Sequence, residues 1–80
     1  SISAKSRTGG HILKEIKTIY PQIVSCAYSK TTKYSISDSI PGETHLVVFK
    51  VKKPLAVSDK QKIREWLITR LESEKIQVFF

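Results

Sequence analysis

The chain predicts an α+β sandwich in the order helix, strand, strand, helix, strand, folded as a mixed three-stranded sheet with both helices on one face. Three observations carry this. Two segments, one before residue 21 and one after residue 57, repeat their apolar residues with the period of a helix. The stretch between them is rich in β-formers and broken by Pro41-Gly42, which reads as a hairpin. The second helix then acts as a crossover, and a right-handed crossover returns the last strand parallel to the one before it. The result is close to a ferredoxin-like fold that lacks its first strand.

The first helix rests on Ile12, Leu13, Ile16, Ile19 and Tyr20, which form one continuous apolar face. Lys14, Glu15, Lys17 and Thr18 fill the other side. Thr8 or Ser6 is placed to cap its start, and Pro21 stops it by disfavouring helical geometry at the residue before. Residues 1–7 carry no period and are expected to be a flexible segment ahead of a single domain over residues 8–80. "IVSCAYS", residues 23–29, alternates Val24, Cys26 and Tyr28 against Ser25 and Ser29 as a strand does. The pattern dissolves over residues 30–43, read as a long, mobile hairpin loop in which Tyr34, Ile36 and Ile40 are available to extend the strand.

"THLVVFKVKK", residues 44–53, leaves little polarity on either face and so reads as the central strand. In "SDKQKIREWLITRL", residues 58–71, Ser58 and Gln61 have the spacing of a capping box. Asp59 suits the positive end of the helix dipole. Ile63, Trp66, Leu67 and Leu71 follow as a core face. "KIQVFF" closes the chain, with Ile76, Val78 and Phe80 alternating against Gln77. Three strands leave one sheet face without helices, and Tyr28, Phe49 and Phe79 are candidates to form an interaction face there.

Size and composition narrow the function classes. A chain of 80 residues is one domain near the lower limit for a self-sufficient core, since such a domain buries only roughly 60% of its unfolded surface. No run of about 18 apolar residues is present to span a membrane. The N-terminus lacks the apolar centre of a signal peptide, and the absence of Met favours a piece of a longer protein. A single cysteine, Cys26, rules out an internal disulfide and suits a reducing compartment.

Chemistry-bearing constellations are sparse. His11, His45 and Cys26 lack the spacing of metal ligands, so neither a metal site nor a cofactor is expected. No nucleophile and base are presented together, which argues against an enzyme with catalytic residues. "TGG", residues 8–10, precedes a helix but lacks the second half of a P-loop, so its glycines read as the turn into the helix.

The net charge of +7 remains. It attracts nucleic acid, anionic lipid or an acidic partner. Lys50, Lys52, Lys53, Lys60 and Arg64 form the candidate basic surface. A nucleic-acid module of this size normally adds stacking aromatics or a backbone-clamping loop. Neither an RNP-type motif nor a GxxG loop is present, and the charge is spread over every element rather than along one groove.

The stretches "ILKEIKTIYPQIVSCAYS" and "HLVVFKVKKPLAVSDKQKIREWLITRLESEKIQVFF" resemble the soluble C-terminal domain of a family of uncharacterised bacterial integral-membrane proteins, the hydrophobic-domain family. The likeness covers residues 12–80 and lies in the helix ending at "YPQI", the strand "VVFKVKKPL", the helix "SDKQKIREWLITRL" and the closing "IQVFF". Cytoplasmic domains of cation-diffusion transporters have a similar element order, but their metal-binding His and Asp residues are matched here only by His11 and His45. The resemblance implies a non-enzymatic cytoplasmic module beside the membrane, accessory, regulatory or oligomerising. Its partners would be a second copy, the membrane part of its own chain, or anionic lipid. Cytoplasmic segments next to a membrane tend to be rich in Lys and Arg, which agrees with the charge. The alternative is a small basic nucleic-acid-binding domain.

Overall fold

The computed structural model describes residues 2–80, with side chains described from Thr8 onward. The element order is α1 (Ile2–Ile16), β1 (Ile23–Lys33), β2 (Gly42–Val51), α2 (Val57–Leu71) and β3 (Ile76–Phe79). The strands form one sheet in the order β1-β2-β3. β1 and β2 are an antiparallel hairpin, and β3 runs parallel to β2. The α+β class, the central position of β2 and the parallel return of β3 are therefore as the sequence predicts.

One core holds the molecule together. Ile12 and Ile16 from α1, Ile63 and Leu67 from α2, and Val47, Phe49 and Ile76 from the sheet are all buried in it, with Ile23 and Leu55. The register explains why one sheet face suffices. Cys26 pairs with Phe49 and Tyr28 with Val47, while His45 pairs with Ile76 and Val47 with Val78. Because side chains alternate along a strand, these positions share the face that meets both helices. At the helix surface Glu15 and Arg70 join α1 to α2 through a two-pronged pair, with Nη2 to Oε2 at 3.0 Å and Nε to Oε1 at 3.1 Å. The bond from Arg70 holds the Glu15 carboxyl below its usual range. The stabilisation it brings is present above the ordinary carboxylate pKa and is lost as pH falls through the depressed one. Both groups are exposed, so the contribution is about 1 kcal/mol or less.

Several boundaries move. α1 begins at Ile2, so Ser6 and Thr8 lie within it and neither caps it. The backbone of residues 2–7, expected to be a flexible lead-in, continues this helix, and the side chains of residues 1–7 lie outside the described residues. Gly9 and Gly10 are inside the helix too, not in a turn leading into it. A helical glycine costs about 1 kcal/mol relative to alanine. Gly9 shares a face with Ile12 and Ile16, and a Cβ there would lie 3.5 Å from the Tyr28 Cβ and 3.6 Å from the Cys26 carbonyl oxygen. These are ordinary van der Waals distances, so α1 rests on β1 at Gly9 with room for a methyl group.

At its far end α1 stops at Ile16 and tightens, with Ile19 N–H donating to the Ile16 carbonyl at 3.1 Å. Such tightening turns a residue away from the preceding helical face. Ile19, expected in the core, is consequently 64% exposed. The register of β1 shifts between Ile23 and Ser25, leaving Val24 as an extra residue. Ile23, not Val24, is buried at this end of the strand.

The hairpin is longer and its loop shorter than the sequence pattern suggests. β1 continues through Lys33, which pairs with Gly42, so the connection covers only residues 34–41. Tyr34, Ile36 and Ile40 are exposed in it and extend no strand. The outer half of the hairpin pairs polar residues, Lys30 with His45 and Thr31 with Thr44. Two-sided polar strands carry no alternation signal, which hid this half from the pattern.

α2 starts at Val57, with Ala56 at the cap position and no side-chain cap bond. The expected capping box of Ser58 and Gln61 is therefore not the start signal. Leu55, buried just before the helix, anchors the entry instead. The helix ends on Glu72, which takes a left-handed conformation with φ 54°. Ser73 N–H then donates to the Ile68 carbonyl at 3.1 Å. Left-handed backbone costs an L residue with a side chain about 1–2 kcal/mol, part of which glycine returns through the unfolded chain. Glu72→Gly is expected to raise stability by about 0.5–1 kcal/mol, read as a higher urea midpoint at unchanged slope.

Candidate interaction surface

The strand alternation that buries Val47 and Phe49 turns Leu46, Val48 and Lys50 to the opposite, helix-free face. Across the three strands Ala27, Val48 and Phe79 pair side by side, and Ser29, Leu46 and Gln77 form the next row. Val48 is 40% and Phe79 51% exposed. Of the three aromatic residues expected on this open face, only Phe79 is there. Phe49 is a core residue at 2% exposure, stacked on Phe80 with centroids 5.5 Å apart. Tyr28 lies on the helix-bearing face beside Gly9, and its hydroxyl shares a hydrogen bond with His45 Nδ1 at 2.7 Å. Partial burial raises the Tyr28 pKa. The sequence showed two apolar-rich strands but not their parity relative to the helices, and that parity decides which aromatic residue is free.

Cys26 occupies the same helix-bearing face, opposite Phe49. Burial pushes its thiol up to about 11. The group is therefore held protonated at neutral pH, and a protonated thiol is a weak nucleophile. Among the described residues no group of three or more His, Cys, Asp and Glu side chains gathers in the arrangement of a metal site.

The basic residues are less evenly spread in space than along the chain. The C-terminal ends of α1, β2 and β3 and the N-terminal ends of β1 and α2 lie together. Lys52 N–H donates to the Gln22 carbonyl at 2.9 Å, and Ile23 N–H to the Tyr20 carbonyl at 3.0 Å, which tie these ends to each other. This end carries Lys14, Lys17, Lys50, Lys52, Lys53 and Lys60 with Glu15 and Asp59 as its acids, Glu15 being paired with Arg70. At the opposite end Lys30, Lys33 and Lys75 are offset by Asp38, Glu43, Glu72 and Glu74. The charge is thus polarised, a feature that only the packing of the elements creates.

Of the expected basic surface, Lys50, Lys52, Lys53 and Lys60 come to this end. Lys50 leaves the sheet on its open face, and Lys60 sits in the first turn of α2 with Nζ 5.7 Å from the Phe80 ring centroid. Lys17, two residues from the exposed Ile19, joins them without having been in that set. Arg64 lies one helical turn beyond Lys60 and serves the sheet instead, its Nη1 donating to the Ile76 carbonyl at 3.4 Å. The neighbouring Lys75 carbonyl accepts from His45 N–H on β2. In a parallel pair the carbonyl of the next residue points away from that partner. Arg64 therefore covers part of the outer edge of β3, which is one way proteins blunt a free strand edge.

At the neutral end a cleft of about 680 Å³ opens between the 34–41 connection and the turn before β3. Lys33, Asp38, Glu43, Glu74 and Lys75 are among its lining residues. Charges of both signs leave it without a strong attraction for one class of ligand. Thr44, buried nearby, donates to the Lys75 carbonyl at 3.2 Å and ties the start of β2 to that turn.

No curated protein and no solved structure matches the chain. A family model described as a domain of unknown function, DUF8492, matches residues 8–80. That span contains both surfaces and nearly all of the fold, and the chain belongs to the DUF8492 family.

Proposed function

We propose that this domain is a non-enzymatic interaction module that self-associates through the open face of its sheet. The observation that carries the reading is the row Ala27–Val48–Phe79, apolar across all three strands and uncovered by either helix. The face is narrow, since three strands about 4.8 Å apart offer much less than the roughly 800 Å² per partner of a standard interface. Association is therefore weak and depends on high local concentration, as membrane attachment provides. This fits the further proposal, from the family resemblance of residues 12–80, that the module is the cytoplasmic, C-terminal part of a bacterial membrane protein. No helix of the described residues is long and apolar enough to cross a membrane, so the anchor would be supplied elsewhere. We also read the unit β2–α2–β3 with its hairpin partner as a ferredoxin-like arrangement lacking one strand.

Sedimentation equilibrium up to about 1 mM tests self-association, in the range where membrane-tethered modules act. The expected result is a monomer–dimer equilibrium that Val48→Lys with Phe79→Lys abolishes while leaving the circular dichroism spectrum unchanged. A strict monomer at every concentration removes the dimer reading. A dimer indifferent to the two substitutions moves it to another surface.

A further inference from the structure

We propose that the basic end of the domain docks on an anionic lipid surface, with Ile19 and Val57 entering the headgroup layer between the lysines. Two independent features of the folded chain meet there. Lys17, Lys52 and Lys53 project from the turn after α1 and the bend after β2, where the acids are Asp59 and Glu15, the latter paired with Arg70. At the same end Ile19 is 64% exposed and Val57 82% exposed. These aliphatic side chains contribute nothing to the buried core. Lysines beside apolar tips are the pattern by which soluble surfaces lie on charged bilayers, the charge drawing the surface in and the tips entering the acyl boundary.

Lipid fits this end better than nucleic acid does. Lys50 leaves by one sheet face and Lys60 by the other, so the charge caps an end and does not line a channel that follows a phosphate backbone. Ile19 and Val57 have no ring on which a base can stack. The Phe80 ring at this end packs against Phe49 and is approached by Lys60 Nζ. The proposal is independent of self-association through the open sheet face, because neither Val48 nor Phe79 takes part in it.

Vesicle co-sedimentation of the full chain tests it. The vesicles are phosphatidylcholine alone, or phosphatidylcholine with about one-third phosphatidylserine to supply anionic surface potential. The expected result is binding to the anionic vesicles and none to the neutral ones. Lys52→Gln with Lys53→Gln should weaken it about fivefold per lysine. Ile19→Ser with Val57→Ser should weaken it about tenfold at unchanged net charge. Circular dichroism checks that both variants stay folded, and these exposed positions are chosen so that they do. Absence of binding to anionic vesicles overturns the proposal. Binding that ignores the Ile19 and Val57 substitutions reduces it to generic attraction of a basic protein and overturns it as well. Tighter binding to single-stranded RNA or duplex DNA than to vesicles at the same salt hands the surface to nucleic acid.

Discussion

Phe49→Ala is expected to destabilise the domain by about 3–5 kcal/mol, the range for removing a buried phenyl ring from a core. Phe49 sits at the centre of the sheet at 2% exposure, opposite Cys26, and stacks on Phe80. Its loss empties a space lined on one side by the helices and unseats the C-terminal ring that Lys60 approaches. For a chain of this length total stability is about 4–12 kcal/mol by the usual value per residue. The variant therefore loses from about a quarter to all of its stability. Phe79→Ala removes the same number of atoms from the open face, where the ring is 51% exposed, and is expected to cost about 1 kcal/mol or less. Urea titrations of the two variants separate them directly. Equal losses would mean that the strand parity, and with it the assignment of the open face, is wrong.

Leu67→Ala carries the second large effect, about 2–5 kcal/mol with a substantial cavity term. Leu67 is fully buried and, with Ile63, is one of the two buried residues of α2. α2 is also the crossover that delivers β3, a strand of four residues beside β2. Weakening the helix contact therefore loosens a parallel strand that has little pairing of its own. Hydrogen exchange on the variant should show β3 and α2 losing protection together, ahead of the β1–β2 hairpin. Uniform loss of protection across all elements would instead show that the hairpin depends on the crossover as much as β3 does.

The elements and their order were legible in the chain because the signals behind them are local. Ile12 and Ile16, or Ile63 and Leu67, reveal a helical face through their spacing alone. Residues 46–49 and 51 reveal a central strand through their continuous apolarity. Pro41-Gly42 and Pro54 punctuate the chain wherever they are packed. Local signals place element ends poorly. Ser58 has the chemistry of a cap, yet burial of Leu55 starts the helix earlier. Gly9 and Gly10 have the chemistry of a turn, yet both lie inside α1, where Gly9 faces Tyr28.

The candidate surfaces belong to the other category. Whether Phe49 or Phe79 faces solvent depends on which sheet face the helices cover, and alternation along one strand leaves both answers open. Ile19 read as core because a continued α-helix would have kept it there, and only the tightened turn moved it out. Along the chain the lysines look evenly scattered. They concentrate because two connections, residues 17–22 and 52–56, are brought to one end by the hairpin and crossover, while acids balance bases at the other. Sequence by itself determined the secondary elements, the core-forming periods and the net charge, all of which follow from residues a few positions apart. Tertiary structure decided which face is open and where the charge gathers, because both depend on contacts between residues that are distant in the chain.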